Sequence, residues 1–354
     1  MEVRFDLQCA MGLSQAEPVE PELFTLLQAI QDRGSLQVAA KARGVSYRHA
    51  WGLMQKWQGL LGQPLAQLER GRGAKLTPLG RALMWGQRRI AARLAPELEN
   101  LGSELAAELR GSLRLPTAPQ LRIHASHGLA LVLLRDLAQQ RGIPLDLQFR
   151  GSLDNLRLFG QGKCVLAGFH LAEGTLGSRL APRYRRWLNP RSDALVHVVR
   201  RRQGIMTARE NPKDIRSVAD LAQAAIRLVN RQVGSGTRLL FDFLLEDAAV
   251  SPDRLQGYNA EEFTHMAVAA MVASGAADAG FGIEAAAHHF DLGFIPVTWE
   301  NYWFAVRREA LASLAVSEIV GLLRDAAYRN QAQALTGYDA AQAGAIEAVD
   351  AVLG

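Results

Sequence analysis

Gly34-Ser-Leu-Gln-Val-Ala-Ala-Lys-Ala-Arg-Gly-Val-Ser-Tyr-Arg-His-Ala-Trp51 reads as two short helices joined by a tight turn. Gly34 ends a preceding helix and Ser35 caps the next, its hydroxyl meeting an orphan backbone N–H, after which Leu36, Ala39 and Ala40 form one apolar face. Gly44 supplies the backbone freedom of a sharp turn, and Val45 plugs that turn into a core. Ser46 caps a longer helix whose apolar positions Ala50, Leu53, Met54, Trp57 and Leu61 recur at helical spacing. The opposite face carries Tyr47, Arg48 and His49 in its first turn and Gln55 and Lys56 further on. Such donors reach phosphates and base edges when a helix N-terminus enters a major groove.

Downstream, residues 65–69 and 74–77 pair as a hairpin around Gly71-Arg72-Gly73, with Arg72 and Lys75 at the tip and edge of a wing. From Arg33 to Arg93 there are twelve Lys or Arg against one acid, Glu69, a local excess hidden by the whole chain's net +5. Phosphate neutralisation is the simplest use for that field. A solvated basic domain that binds nothing explains the charge but neither the two caps nor the wing.

The run from Phe24 to Leu83, including Lys-Leu-Thr-Pro-Leu-Gly at 75–80, resembles the winged helix-turn-helix of the molybdate-responsive ModE regulators and, more distantly, of LysR-type regulators. That resemblance implies a DNA-binding dimer in which Tyr47, Arg48 and Gln55 face the groove.

With 354 residues and 49% apolar composition, the chain has core material for two or three domains. No basic segment leads into a long apolar run, so neither a signal peptide nor a membrane span is expected, and the cytoplasm is the default compartment. Cys9 and Cys164 are solitary, against a disulfide framework or a thiolate metal site. The expected organisation is a DNA-binding domain over 1–76, a linker and dimerisation helix over 77–111, an interdomain linker over 112–119 and a larger domain over 120–354. The linker helix has Leu79, Leu83, Ile90, Leu94, Leu98, Leu101 and Leu105 near helical intervals, interrupted at Pro96. Its apolar seam suits pairing with a twin, so a homodimer or higher homo-oligomer would offer two reading helices to a palindromic operator in double-stranded DNA.

Beyond residue 120 strands alternate with helices: strands over 121–125, 145–149, 164–169, 194–199, 226–230 and 277–281, and a helix over 217–223 among those between. In such sheets ligands gather beyond the carboxyl ends of the strands, where Ser126 and Ser152 stand. The turn Gly234-Ser-Gly-Thr237 lets backbone N–H groups approach an oxyanion, with hydroxyls from Ser235 and Thr237, close approach at Gly236 and full charge from Arg231 and Arg238. No Lys follows the second glycine, which disfavours triphosphate chemistry. His127 and His170 are candidates for the cleft. The eight histidines lack metal-ligand spacing, and no catalytic triad or carboxylate pair can be assembled.

The segments at 167–171, 229–238 and 264–282 resemble the periplasmic-binding-protein-like domain related to molybdate-binding proteins. The resemblance implies two lobes closing on a small ligand, with Ser126, Ser152, Ser235, Gly236 and Thr237 around it, and Tyr302 added on the resemblance. The fold expected is therefore α/β: an N-terminal all-α winged helix-turn-helix and a C-terminal two-lobed periplasmic-binding-protein-like (type II) α/β domain. The expected function is a one-component transcriptional regulator without a cofactor, tuned by an oxyanion effector such as molybdate or tungstate. The alternatives are a molybdenum-cofactor-related enzyme, which needs an acid, base or metal constellation, and a solute-binding protein, which needs export.

Overall fold

The computed structural model describes residues 3–69, 73–113 and 121–354. It divides into two compact units, Asp6–Ala92 and Arg93–Gly354, the latter joined by the segment ending at Phe5. Arg72 and most of the expected linker at 112–119 lie outside the described residues.

In the smaller unit a short antiparallel pair, β1 (Ala10–Met11) and β2 (Glu17–Pro18), precedes α1 (Pro21–Arg33), α2 (Leu36–Ala42) and α3 (Tyr47–Leu61). Pro21 opens α1 and Gly34 ends it at φ 64°, a left-handed conformation that glycine adopts without a side-chain clash. Ser35 accepts from the Val38 N–H and Ser46 from the His49 N–H, so both expected caps are formed. The hairpin is β3 (Ala66–Glu69) paired with β4 (Gly73–Leu76). It is tied to the end of α1 by the Ala74 N–H donating to Gly34 O at 2.6 Å. Leu26, Ile30, Ala39, Ala50, Leu53 and Trp57 meet in one core. Three helices are thus followed by a hairpin, in the order expected from the sequence.

Helix α4 (Pro78–Ser112) runs unbroken through Pro96, where an interruption was expected. A proline removes one hydrogen bond and crowds one carbonyl; the 35-residue helix continues on both sides of it. The unit boundary falls within this helix, between Ala92 and Arg93.

The larger unit is built on one mixed sheet. Its first half comprises β5 (Leu121–Ala125), α5 (Leu129–Gln140), β6 (Leu145–Phe149), α6 (Ser152–Gly160), β7 (Leu166–Ala172), α7 (Gly174–Arg185) and β8 (Asp193–Thr207). The second comprises β9 (Leu228–Arg231), α8 (Gly236–Asp247), β10 (Glu261–Glu262), α9 (His265–Ala273), β11 (Ala279–Ile283), α10 (Glu284–His289) and β12 (Gly293–Arg307). The chain closes with α11 (Leu314–Arg324), α12 (Ala326–Gln333), β13 (Tyr338–Asp339), β14 (Ile346–Ala348) and α13 (Val349–Leu353). The main strand order is β10-β9-β11-β8-β12-β7-β5-β6.

The 15-residue strands β8 and β12 pair antiparallel from Asp193↔Arg307 to Thr207↔Gly293 and serve both lobes. One lobe adds β7, β5 and β6 beside the Glu300–Val306 half of β12; the other adds β11, β9 and β10 beside the Gln203–Thr207 half of β8.

Several element boundaries differ from the sequence reading. The strand expected over 194–199 continues to Thr207, because Arg200, Arg201 and Arg202 are each neutralised by a carboxylate, Glu173, Glu300 and Glu284. The helix expected over 217–223 is one 3-10 turn, Ala219–Ala222, organised by the Asp220 carboxylate accepting from the Arg216 and Ser217 N–H groups. The helix expected from Leu239 starts at Gly236, one residue after its Ser235 cap.

Candidate functional site

The crossing of β8 and β12 between the lobes sets the site. Arg201 and Glu300 are direct partners in the register, and Arg201 Nε donates to Glu300 Oε1 at 2.6 Å with both side chains buried. Burial works against the Arg201 charge, and Glu300 and Tyr338 outweigh it, so the guanidinium holds its proton above its ordinary range. Gln203 Nε2 donates to the same carboxylate at 2.8 Å and to Thr237 Oγ1 at 3.0 Å, leaving the Thr237 O–H as a donor. Arg201 Nη2 lies 3.0 Å from His170 Nε2 and 3.3 Å from His265 Nε2. Arginine only donates, so both imidazoles accept and are neutral. Burial, reinforced by Arg201 and Arg231, holds both far below the usual histidine range.

Arg231, at the end of β9, is 6% exposed. Its Nη2 donates to Phe263 O at 2.9 Å and its Nε to Gln232 Oε1 at 3.0 Å. Among the described residues no carboxylate forms an ion pair with it. Burial and then Arg201 push its pKa down to about 9, against the pull of Glu300. Next to it α8 begins. Ser235 Oγ accepts from the Arg238 N–H at 3.2 Å and donates to Gln232 O at 2.9 Å. The N–H groups of Gly236 and Thr237 precede the first intrahelical bond and are not taken by that cap. From the other lobe α6 opens on Gly151 without a side-chain cap. Ser126 Oγ and Ser152 Oγ are 3.3 Å apart, and the Ser126 N–H donates to Tyr302 Oη at 2.9 Å.

His170, His265, Arg231, Ser126, Gly151 and the start of α8 border a cavity of about 700 Å³, whereas Arg201, Gln203 and Glu300 are not part of its lining. Of the expected ligand residues, Ser126, His127, His170, Arg231, Ser235, Gly236 and Thr237 line it. The others take different parts. Ser152 is fully buried behind Ser126. Tyr302 is fully buried, its hydroxyl engaged by the Ser126 N–H, so it braces the wall and does not face the cavity. Arg238 turns away to Asp242 and Glu261, both at 3.1 Å, with its guanidinium 4.1 Å from the Tyr258 ring centroid. The Ser235 hydroxyl is engaged as the helix cap, so that residue offers backbone only. Burial, Arg231 and Arg135 bring the His127 pKa down to about 4, and its ring stands edge-on to Phe149 at 4.9 Å.

The sequence reading missed Arg201, Gln203, His265 and Glu300. Their one visible signal was the Arg200-Arg-Arg-Gln203 run, a cluster of charge too dense for an ordinary strand. It also missed the third wall. Arg93, Leu94, Pro96, Glu97 and Asn100 of α4 border the cavity. Asn100 docks like a strand residue: its Nδ2 donates to Phe149 O at 3.0 Å and its Oδ1 accepts from the Phe149 N–H at 2.7 Å. Glu99 accepts from Arg135 at 2.5 Å, and the Arg93 guanidinium lies 5.5 Å from the Phe263 ring centroid.

In the smaller unit Tyr47, Arg48, His49 and Gln55 are exposed on α3, as is Lys75 on the hairpin edge. Ser46 is the cap of α3, its hydroxyl accepting from the His49 N–H at 3.1 Å. Lys56 differs from the expectation: its Nζ is 2.6 Å from Glu20 and 3.7 Å from Glu17, so its charge is neutralised inside the unit. The Lys56 hydrogen bond in turn holds the Glu20 carboxyl below its usual range. Trp51, one turn after Tyr47, is also exposed and was not singled out from sequence.

The profile of the PBP superfamily domain matches residues 134–324, more than half of the chain. The chain belongs to the PBP superfamily. The uncharacterized protein YvgK of Bacillus subtilis (strain 168) is 37% identical over 193 residues, 54% of this chain and 62% of YvgK. The molybdenum-pterin-binding protein MopB of Rhodobacter capsulatus is 35% identical over 121 residues, 31% of this chain and 45% of MopB. The chain thus spans less than two thirds of either relative. Among solved structures, full-length CbnR complexed with its target DNA is 17% identical, covering 87% of this chain and 99% of that one, with a TM-score of 0.39. Among the described residues no helix is long and apolar enough to cross a membrane, and no three His, Cys, Asp or Glu side chains are grouped to hold a metal ion.

Proposed function

We propose that the chain is a one-component DNA-binding transcriptional regulator whose grip on double-stranded operator DNA is set by a small anion in the cleft of its PBP-superfamily domain. The observation that carries this reading is Arg231: a buried guanidinium without a carboxylate partner among the described residues, beside the unengaged N–H groups at the start of α8. A cation so placed calls for an anion. The α8 dipole adds partial positive charge at the same point. Ser126 and Thr237 contribute hydroxyls. An oxyanion such as molybdate or tungstate has the charge this corner lacks, and the similarity to the molybdenum-pterin-binding protein MopB supports a molybdenum species.

For DNA, α3 offers Tyr47, Arg48, His49 and Gln55 from a capped first turn, and Arg48 suits a guanine edge. A homodimer would present two such helices to a palindrome. A cytoplasmic setting follows from that role. The effector biases the lobes, and α4, which borders the cavity and continues into the smaller unit, carries the change.

Gel shifts on the gene's upstream region at several salt concentrations, with calorimetric titration of molybdate and tungstate, test the reading. Arg48→Ala is expected to weaken DNA binding by tenfold or more, on the order of 1–3 kcal/mol, and to leave anion uptake unchanged. Thr237→Ala is expected to do the reverse. Equal damage to both activities by both variants in folded protein would overturn the division of labour.

A further inference from the structure

Arg231 and the start of α8 make up only part of the cavity lining. A tetrahedral oxyanion takes roughly the room of three or four waters, about 100 Å³ at ~30 Å³ each, whereas the cavity measures about 700 Å³, within the size range of sites for drug-sized ligands. The excess does not come from lobes standing apart. A Cβ built on Gly151 would meet Gly234 O at 3.0 Å, and one on Gly236 would meet Ser152 Oγ at 3.3 Å. The two lobes are therefore already in van der Waals contact along the floor, where closure would have to act.

Besides Arg231 and the start of α8, the walls combine apolar surface with the charged side chains Arg93, Glu97, Arg150 and Asp154. Phe149 carries the edge-on His127 ring on one side. On the other Phe263 is 47% exposed and Val233 75% exposed, two large apolar side chains left open at the rim. The third wall, Leu94 and Pro96 of α4, is held in place by the double hydrogen bond of Asn100 and by the Glu99–Arg135 pair. His127 is neutral at physiological pH, which suits it to stacking or accepting a hydrogen bond.

We infer that the cleft takes an organic anion: its acidic group sits on Arg231 and the start of α8, and its apolar or aromatic body lies between Phe149 and Phe263 against Leu94 and Pro96. This rests on the proposed reading of the cleft as an effector site, and it makes the linker helix itself part of the recognition surface. A bare oxyanion fills only the charged corner.

Calorimetry on the full-length chain with inorganic phosphate, molybdate and phenyl phosphate compares one kind of head group with and without a body. Phenyl phosphate is expected to bind at least tenfold more tightly than either inorganic ion. Phe263→Ala and Leu94→Ala are each expected to lower phenyl phosphate affinity several-fold and to leave inorganic phosphate unchanged. The Arg231–Phe263 contact uses backbone, so Phe263→Ala preserves it. Arg231→Gln, checked for folding by circular dichroism, is expected to abolish uptake of all three. Inorganic phosphate or molybdate binding as tightly as phenyl phosphate, no uptake of phenyl phosphate at millimolar concentration, or indifference to both apolar variants would overturn the assignment. Salt-sensitive DNA retention by the same protein is scored separately: its loss with ligand selectivity intact sinks the regulator reading alone, and the converse sinks the ligand class alone.

Discussion

Arg201 and Glu300 show how much one pair decides. Each ion alone would be expensive to bury, and the pair persists because Gln203, His170 and His265 complete its hydrogen bonds. Glu300→Gln is expected to lower stability by about 3 kcal/mol, the cost of leaving a buried cation unmatched, and here a second buried cation, Arg231, lies nearby. The double change Arg201→Met with Glu300→Leu is expected to recover most of that loss. Urea unfolding of the three proteins measures it; a Glu300→Gln midpoint equal to the parent's would show the pair to be energetically idle. Residues of this kind were hidden in the sequence. A run of three arginines reads as solvent-facing until the partner strand, a hundred positions away, supplies its carboxylate.

The long helix α4 is the element whose surroundings were least legible in the sequence. From its apolar spacing it reads as a dimer seam, and periodicity alone does not say what covers a stripe. In the structure the stretch from Arg93 onward meets the lobe rims: Asn100 is bonded to Phe149 and Glu99 to Arg135 on one lobe, and Arg93 lies beside Phe263 on the other. On the proposed reading, a helix in contact with both rims would convey a change in their separation. Asn100→Ala removes both bonds to Phe149. It is expected to cost ~1–2 kcal/mol and to leave DNA affinity near the parent's while reducing the shift in that affinity caused by a saturating effector. Gel shifts with and without effector read this directly; an unchanged shift would show that Asn100 does not convey the signal. The three helices of the smaller unit, by contrast, were legible almost residue by residue. Caps act within three residues of themselves, so Ser35, Ser46 and Gly34 announce their own roles.

Across the molecule, protonation couples to stability through a set of neutral histidines. Burial lowers the pKa of His124, His127, His170, His197 and His265, to about 4 for His127. The unfolded chain titrates them near pH 6.5. Between that pH and about 4 the unfolded state therefore binds more protons, so stability is full above pH 6.5 and falls as the solution is acidified. Thermal unfolding is expected to show a lower Tm at pH 5 than at pH 7.5, with little further change from pH 7.5 to 8.5. A flat profile from pH 7.5 to 5 would contradict the buried, neutral state of these rings.

The division into two units, the capped helices and the strand ends at Ser126 and Ser152 follow from rules that act over a few residues: spacing, turn chemistry and local charge. Sequence alone thus determined most element types, though not the 3-10 turn at Ala219–Ala222, and the Gly234–Thr237 turn that faces the cavity. It placed Arg238 and Tyr302 at the ligand and left Arg201, His265 and the α4 wall unnoticed. Only the tertiary structure decided those, because whether a polar side chain meets ligand or counter-charge depends on which distant strand pairs beside it. The pairing of β8 with β12 put Glu300 on Arg201 and joined the two lobes that flank the cavity, while among the described residues Arg231 has no carboxylate ion pair.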